Sequence, residues 1–368
     1  MESSIINCYA AFGIKIEIAA ADFLRPRMNS SGQTMSSDTP KRKIWIGFDL
    51  GGTKMMAVVF DDKLKVLAKK RRKTRSNSGD QVSLERLAET IQQALTEAAA
   101  TEDEIAGIGA GVPGPLDLQK GIILEAPNLG WKNVDLQDFL SKRFKCPARI
   151  CNDVDAGVFG EYVAGAAQGV RCVLGVFPGT GIGGGCVYEG KIFRGTRSSC
   201  MEVGYLQMAT AGASAGAGPV GTLEGLASRL AIAAEAAKAV YRGQAPNLKE
   251  LAGTDLAKIR SSTLAKSIDM GDKIIEQIVR TAAEQVGRGI GSLINILAPD
   301  VVILGGGLVQ AMPKLFLESA KEGIRRNVLP SLADCAKLKV SELGDLAGVT
   351  GAAAWIRQEA ELKVARKD

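Results

Sequence analysis

The chain has 368 residues, 46% of them hydrophobic and 23% charged, with a net charge of +6. That composition is globular and long enough for two domains, and the mild charge with only 5% aromatics offers no basic stacking surface for nucleic acid. The complete lack of histidine excludes Ser-His and Cys-His nucleophile pairs and every His-ligated metal site.

The seven cysteines (8, 146, 151, 172, 186, 200 and 335) form no CxxC pair and lie partly inside apolar runs. They read as reduced thiols of a cytoplasmic protein. No apolar stretch reaches the ~18 residues of a membrane span. Met1 to Ala21 lacks a basic start and carries Lys15 and Glu17, unlike a signal peptide. No membrane and no nucleic-acid partner is expected. Residues 29–42, rich in Ser, Thr, Gly and basic residues, read as a flexible leader.

The first strongly apolar segment is Trp45 to Phe60, interrupted by Asp49-Leu50-Gly51-Gly52-Thr53-Lys54. Two β-rich runs around a Gly-Gly-Thr turn predict a hairpin. The glycines permit positive φ and bring backbone N–H groups close to a ligand. An acid, bare backbone, a hydroxyl and an ammonium on one turn suit a metal–phosphate group. Asp49 is the candidate for holding Mg²⁺ through water. A third strand, Leu64 to Ala68, runs into the basic stretch 69–75. That stretch is either a solvated strand end or the track of a polyanionic donor.

An amphipathic helix is predicted over Ser83–Ala100, with Leu84, Leu87, Ile91 and Leu95 on one face. A buried strand follows over Ile105–Val112 and stops at Pro113-Gly114-Pro115. Next come a short strand over Gly121–Leu124, a loop over Ala126–Trp131, a helix over Leu136–Phe144 and a strand over Ala148–Cys151. That strand delivers Asn152 and Asp153 to its carboxyl end, where open α/β sheets place ligand groups. A helix from Val154 to Ala166 follows, with Asp153 also suited to cap it.

The second half repeats the first. Cys172–Phe177, the turn Gly179-Thr180-Gly181 and Ile182–Tyr188 form another hairpin with a second phosphate-type turn. Thr222–Leu297 is mainly helical. Val301–Leu304 feeds Gly305-Gly306-Gly307 and a helix, Leu338–Val340 is a strand, and Val349–Ala360 closes the chain as a helix. Two copies of a hairpin-plus-βαβ unit predict two similar α/β domains with a cleft between them. We expect a leader over 1–42, a smaller domain over 43–165 and a larger one over 166–368, with the last helix free to pack back on the first.

No Walker pattern is present. The constellation of two glycine turns and a strand-end Asp instead resembles that of the actin-like ATPase and sugar kinase superfamily. The sequence further resembles the bacterial sugar kinases of the ROK family (repressors, open reading frames, kinases), its glucokinases in particular. The resemblance runs over roughly Lys43–Glu359. It rests, in family order, on the 49–54 motif, Gly111-Val-Pro-Gly-Pro115, Pro127-Asn-Leu-Gly-Trp131, Asn152-Asp153, Gly179-Thr-Gly-Ile-Gly-Gly-Gly185, Glu202-Val-Gly204, Gly221-Thr-Leu-Glu224 and Leu304-Gly-Gly-Gly307.

The resemblance implies an actin-like (ribonuclease H-like) duplicated fold, and transfer of the γ-phosphoryl of MgATP to a hexose, glucose first. It implies Asp153 as the catalytic base, and Asn128, Asn152, Glu202, Tyr205 and Glu224 around the sugar. It implies Asp49, Gly51, Gly52, Thr53 and Lys54, with Gly179, Thr180 and Gly181, around the phosphates, and Gly305, Gly306 and Gly307 along the nucleotide. A homodimer or homotetramer is implied as well. The chain departs from the family twice. Tyr205 stands where a His is usual, and residues 211–221, where a zinc-binding cysteine cluster is usual, contain only Gly, Ala, Ser, Pro and Val. No zinc site is therefore expected, and a self-supporting or mobile 209–221 loop is. Polyphosphate as donor, another hexose as acceptor, and a sugar sensor without turnover stand as alternatives.

Overall fold

The computed structural model describes residues 42–74, 80–209 and 220–365, with side chains as far as residue 362. The predicted leader, all but one of its residues, lies outside these, as does the 210–219 stretch of the predicted zinc-free loop.

The described residues from Lys43 onward belong to one compact unit. Its first half is built on a five-stranded sheet. β1 (Ile44–Leu50) and β2 (Lys54–Asp61) form the predicted hairpin, and β3 (Val66–Lys73) extends it antiparallel. β1 and β2 are buried on both faces, as central strands are, whereas β3 alternates and carries its Lys and Arg along an exposed edge. Helix α1 (Asp80–Glu97) begins earlier than its apolar period indicated. It ends before Ala100, and Ala99 takes a left-handed φ of 48° just beyond it.

β4 (Ile105–Val112) pairs parallel to β1. β5 (Leu116–Asp117), β6 (Ile122–Ala126) and β7 (Trp131–Val134) form a separate three-stranded sheet. Of these only β6 was anticipated; the predicted loop at 126–131 is a single 3-10 turn, Pro127–Leu129, entering β7. Helix α2 (Leu136–Phe144), capped by Asp135, leads into β8 (Ala148–Asn152), parallel to β4. The order is β3-β2-β1-β4-β8. Helix α3 (Asp153–Ala164) leaves the end of β8.

The second half repeats this plan. β9 (Cys172–Pro178), β10 (Ile182–Tyr188) and β11 (Lys191–Ile192) are antiparallel neighbours. Helices α4 (Leu223–Ala227), α5 (Arg229–Tyr241), α6 (Pro246–Ala252), α7 (Ser261–Asp269) and α8 (Lys273–Leu297) follow. β12 (Val301–Leu304) then returns to the sheet parallel to β9. Helices α9 (Gly306–Ala311) and α10 (Pro313–Asn327), β13 (Lys337–Val340) and α11 (Ala347–Ala365) complete the chain. The order β11-β10-β9-β12-β13 is that of the first sheet with its elements renewed.

The long helix α8 buries Ile275, Val279, Val286 and Ile290 in the core of the second half, at the i, i+4, i+11, i+15 spacing of one face. α3 and α11 cross between the two sheets, and residues of both join one core with β9 and β12. The crossing is close because glycines stand there. A Cβ on Gly351 would lie 1.7 Å from the Ala156 carbonyl oxygen, and one on Gly160 2.2 Å from that of Ala347. α11 also packs on β1 and β2 through Val349, Ala353 and Ile356. Among the described residues no helix is long and apolar enough to cross a membrane.

Candidate active site

The parallel registers bring the two key acids to one end of the first sheet. Asp49 on β1 is level with Gly111 on β4, and Gly111 with Cys151 on β8. Asp153 follows two residues later as the first residue of α3. A Cβ on Gly111 would already touch Ala156 Cβ at 3.2 Å, so the bare glycine lets the start of α3 settle against β4. Asp49 and Asp153 line one cavity of about 310 Å³, together with Lys54, Gly306 and Asp345.

The cap of α3 is Asn152, not Asp153. Asn152 Oδ1 accepts the Val154 and Asp155 N–H groups at 2.9 and 3.1 Å. Asp153 Oδ1 accepts the Val154 N–H at 3.0 Å. Burial raises the Asp153 carboxyl above its ordinary value, opposed by that N–H, by its own N–H and by the Asn152 side chain. Burial also raises Asp49, to about 7, and Asp153 and then Asp345 add to the rise while Arg71 opposes it. Two buried acids, one of which holds the other's proton on, form a site that a divalent cation would relieve. The residues therefore fit the magnesium ion that phosphoryl transfer from ATP employs.

The first glycine turn is fastened from behind. Gly51 N–H donates to Lys54 O at 2.9 Å, and the Thr74 hydroxyl donates to Gly51 O at 2.7 Å. Its glycines do not take positive φ, contrary to expectation. They are required by crowding instead. A Cβ on Gly52 would stand 3.0 Å from Asn128 Cβ, so this turn touches the candidate sugar residue from the 3-10 turn before β7.

The second turn shows the same economy. Gly179 N–H donates to Gly181 O at 2.8 Å, and a Cβ on Gly181 would collide with Glu224 Oε2 at 2.3 Å. Glu224, in the first turn of α4, accepts the Ile182 N–H with that same oxygen at 2.8 Å. One oxygen of this candidate sugar ligand thus braces the phosphate turn.

Glu202 is exposed at the head of the 3-10 turn Val203–Tyr205, and Tyr205 is 51% exposed. Met201 holds a left-handed φ of 62° just before it, which turns the chain so that Glu202 projects from the loop. Partial desolvation beside the loop raises the Glu202 carboxyl although the residue is exposed, and the charges of Asp153 and Glu224 add to this. Glu202, Glu224 and Asp153 therefore share one electrostatic neighbourhood. None of Asn128, Asn152, Glu202, Tyr205 and Glu224 lines the cavity that holds Asp49.

Gly305, Gly306 and Gly307 divide their work. Gly305 lies on the Phe177 ring, and Gly306, at φ 80°, lies on the Pro178 carbonyl. These two are close helix–strand contacts. Gly307, where a Cβ would stand 3.5 Å from Ser261 Oγ, lines a second groove, of about 730 Å³, with Thr53 and Arg229. Gln310 lines both spaces.

In the basic stretch 69–75, Lys70, Arg71 and Arg72 are paired with Glu97, Asp345 and Glu89 at 2.6, 2.6 and 2.9 Å. These three are matched by acids and do not form a free anion track; residue 75 lies outside the described residues.

Sequence reasoning missed three supporting residues. Thr74 holds the first turn, Arg229 Nη2 donates to Thr180 Oγ1 at 2.8 Å, and Ser199 Oγ donates to the buried Asp155 at 2.5 Å. Asp155 is raised to about 7, chiefly by burial. Each contact joins residues 23 to 49 positions apart, so no local pattern marks it.

Comparison with known proteins gives a consistent picture. A model of the ROK family matches residues 45–359. A protein named glucokinase from Thermotoga maritima is 31% identical over 87% of this chain and 98% of its own length. A ROK family glucokinase from Streptomyces griseus, solved with glucose and AMPPNP, superposes with a TM-score of 0.74 at 27% identity, over 86% of this chain and 99% of that one. A xylose repressor from Caldicellulosiruptor bescii is 29% identical over 84% of this chain and 77% of its own.

Proposed function

The chain belongs to the ROK family and is a sugar kinase of the actin-like fold, and from that premise we propose that it transfers the γ-phosphoryl of MgATP to a hexose, glucose first. The observation that carries this reading is the convergence of Asp49 and Asp153 at one end of the first sheet, beside the turn of Gly51–Lys54.

In this reading Asp153 is the general base. It accepts the proton of the sugar hydroxyl as that oxygen bonds to the γ-phosphorus and the bond to the β-phosphate oxygen breaks. A carboxylate raised by burial is a stronger base than an exposed one, provided it is ionised at working pH. Asn128, Asn152, Glu202, Tyr205 and Glu224 hydrogen-bond the remaining hydroxyls, since each hydroxyl left unpaired in a closed site costs about 1–3 kcal/mol. Asn152 reaches the sugar through its amide nitrogen, because its oxygen is engaged in the helix cap. Gly51, Gly52, Thr53 and Lys54 face Gly179, Thr180 and Gly181 across the phosphates, and Gly307 borders the nucleotide. Asp49 would hold magnesium through water, and the ion would neutralise charge on the β- and γ-phosphates.

Water must be kept from the phosphoryl group. The Leu118 N–H after β5 donates to the Arg197 carbonyl at 3.0 Å, tying the small sheet to the loop that leads to Glu202. That tie supports a cleft which closes over the sugar. The cytoplasm is the compartment in which a reduced-thiol, ATP-using enzyme of this kind works.

Glucose is the first acceptor to test because two of the similar proteins are named glucokinases. Tyr205 argues for checking relatives of glucose too, since a phenol offers one donor and more bulk than an imidazole. ADP release should be followed with glucose, mannose, N-acetylglucosamine, N-acetylmannosamine, fructose and allose. Turnover on one hexose supports the reading and names the acceptor. Sugar binding without turnover on any of them would favour a sensor, the reading to which the similarity to a xylose repressor also lends support.

A further inference from the structure

The groove beside the second glycine turn contains two arginines that no motif accounts for. Arg229 opens α5, and Arg260 immediately precedes α7. Both line the groove of about 730 Å³ that also meets Thr53 of the first turn and Gly307. A volume of this size holds a nucleotide-sized ligand.

Arg229 is tied to the second turn twice, by its N–H to Gly179 O at 2.9 Å and by its guanidinium to Thr180 Oγ1 at 2.8 Å. Arg260 donates its Nε to Ala257 O at 3.2 Å and projects exposed from the groove wall. Among the described residues neither guanidinium has a carboxylate within ion-pair distance. By contrast Lys70, Arg71 and Arg72 are each neutralised. The two charges are near enough that Arg260 helps to lower Arg229, after burial. Like charges gathered in one groove without counter-charge cost free energy unless an anion joins them. Guanidinium forks match the paired oxygens of phosphate groups.

We propose that Arg229 and Arg260 clamp the phosphoanhydride chain of the phosphoryl donor, gripping the phosphates behind the one transferred. The proposal rests on the kinase reading and extends it to the donor's recognition. The chemistry recognised is a run of linked phosphates, which a nucleoside triphosphate and inorganic polyphosphate both present. Arg229 also steadies the Thr180 turn, so donor binding and turn geometry are joined in one side chain.

The test is calorimetric titration of the full chain with Mg-AMPPNP and, separately, with Mg-tripolyphosphate, for wild type, Arg229→Gln and Arg260→Gln. Glucose is titrated into each as a check on the fold. Arg260→Gln is the cleaner variant, because Arg260 has no bond to the turn. Loss of a charge-assisted hydrogen bond is expected to weaken donor binding about ten-fold or more, with glucose binding unchanged. Weakening of both probes supports a clamp that reads phosphates from either source. Weakening of Mg-AMPPNP where wild type fails to bind Mg-tripolyphosphate supports a clamp for nucleotide donors. Donor binding within two-fold of wild type in Arg260→Gln, with glucose binding intact, overturns the clamp and leaves the kinase reading standing. Wild type that binds neither probe overturns both.

Discussion

Glu224 Oε2 accepts the Ile182 N–H at 2.8 Å, so a carboxylate proposed to bind the sugar is bolted to the turn proposed to hold the phosphates. Two substitutions separate its roles. Glu224→Gln keeps a carbonyl oxygen for Ile182 but replaces the second acceptor by a donor. Its expected effect is a sugar KM raised about ten-fold or more, with donor KM little changed. Glu224→Ala removes both contacts and leaves the Ile182 N–H unpaired, and it should raise the KM of both substrates. Equal effects of Gln and Ala on the two KM values would show that the Ile182 contact does not matter to the donor.

Asn152 and Asp153 are neighbours with divided labour: the first caps α3 by accepting two backbone N–H groups, and the second accepts the Val154 N–H without capping the helix. Asn152→Ala should cost about 1 kcal/mol of stability through the lost cap, read as a lower midpoint in urea, besides weakening sugar binding. Asn152→Asp should restore the midpoint, because Asp caps as well as Asn. A midpoint unchanged in Asn152→Ala would mean that the cap is dispensable.

The two hairpins, α2 and β4 were legible because their signals are local. The hairpins at 44–61 and 172–188 show as apolar runs on either side of a glycine turn, and α2 and β4 show their full length in burial period and breakers. β5 and β7 were not legible. β5 has two residues, and β7 buries only Trp131 and Val134 at its ends, so neither carries a period-2 signal. The motif residues could be listed from the sequence, but their contacts could not. Nothing local tells that Gly52 abuts Asn128, that Gly181 abuts Glu224 or that Arg229 meets Thr180. Those contacts are made by tertiary folding between distant segments, which also explains why Gly52 and Gly181 serve close approach rather than positive φ.

Asp49 gives a pH dependence whose sign can be worked out. Its carboxyl rises from 3.8 to about 7 in the folded chain. The folded state therefore favours the protonated form: that stabilisation is complete below 3.8 and is lost as pH rises through about 7. Asp49→Asn has no proton to lose there. In the absence of magnesium the variant should become more stable than wild type by pH 8. The gain is on the order of 2 kcal/mol, about half the full shift, since the carboxylate keeps some contact with water. Magnesium should narrow the gap by stabilising wild type alone. Thermal midpoints measured from pH 4 to 8 that run parallel for the two proteins would contradict this.

The proposed base has a pH signature too. Burial raises Asp153, so the acid limb of kcat/KM should lie above the unperturbed 3.8. An acid limb at or below that value would assign the proton acceptor to a more exposed group.

The most direct measurement is ADP release from MgATP with the accepted hexose, for wild type and Asp153→Asn side by side, with sugar binding measured on both. The account predicts turnover by wild type and a loss of about 10²–10⁴ in kcat for the variant, with sugar affinity retained. A variant that binds sugar and turns over at the wild-type rate would contradict the assignment of Asp153 as the base.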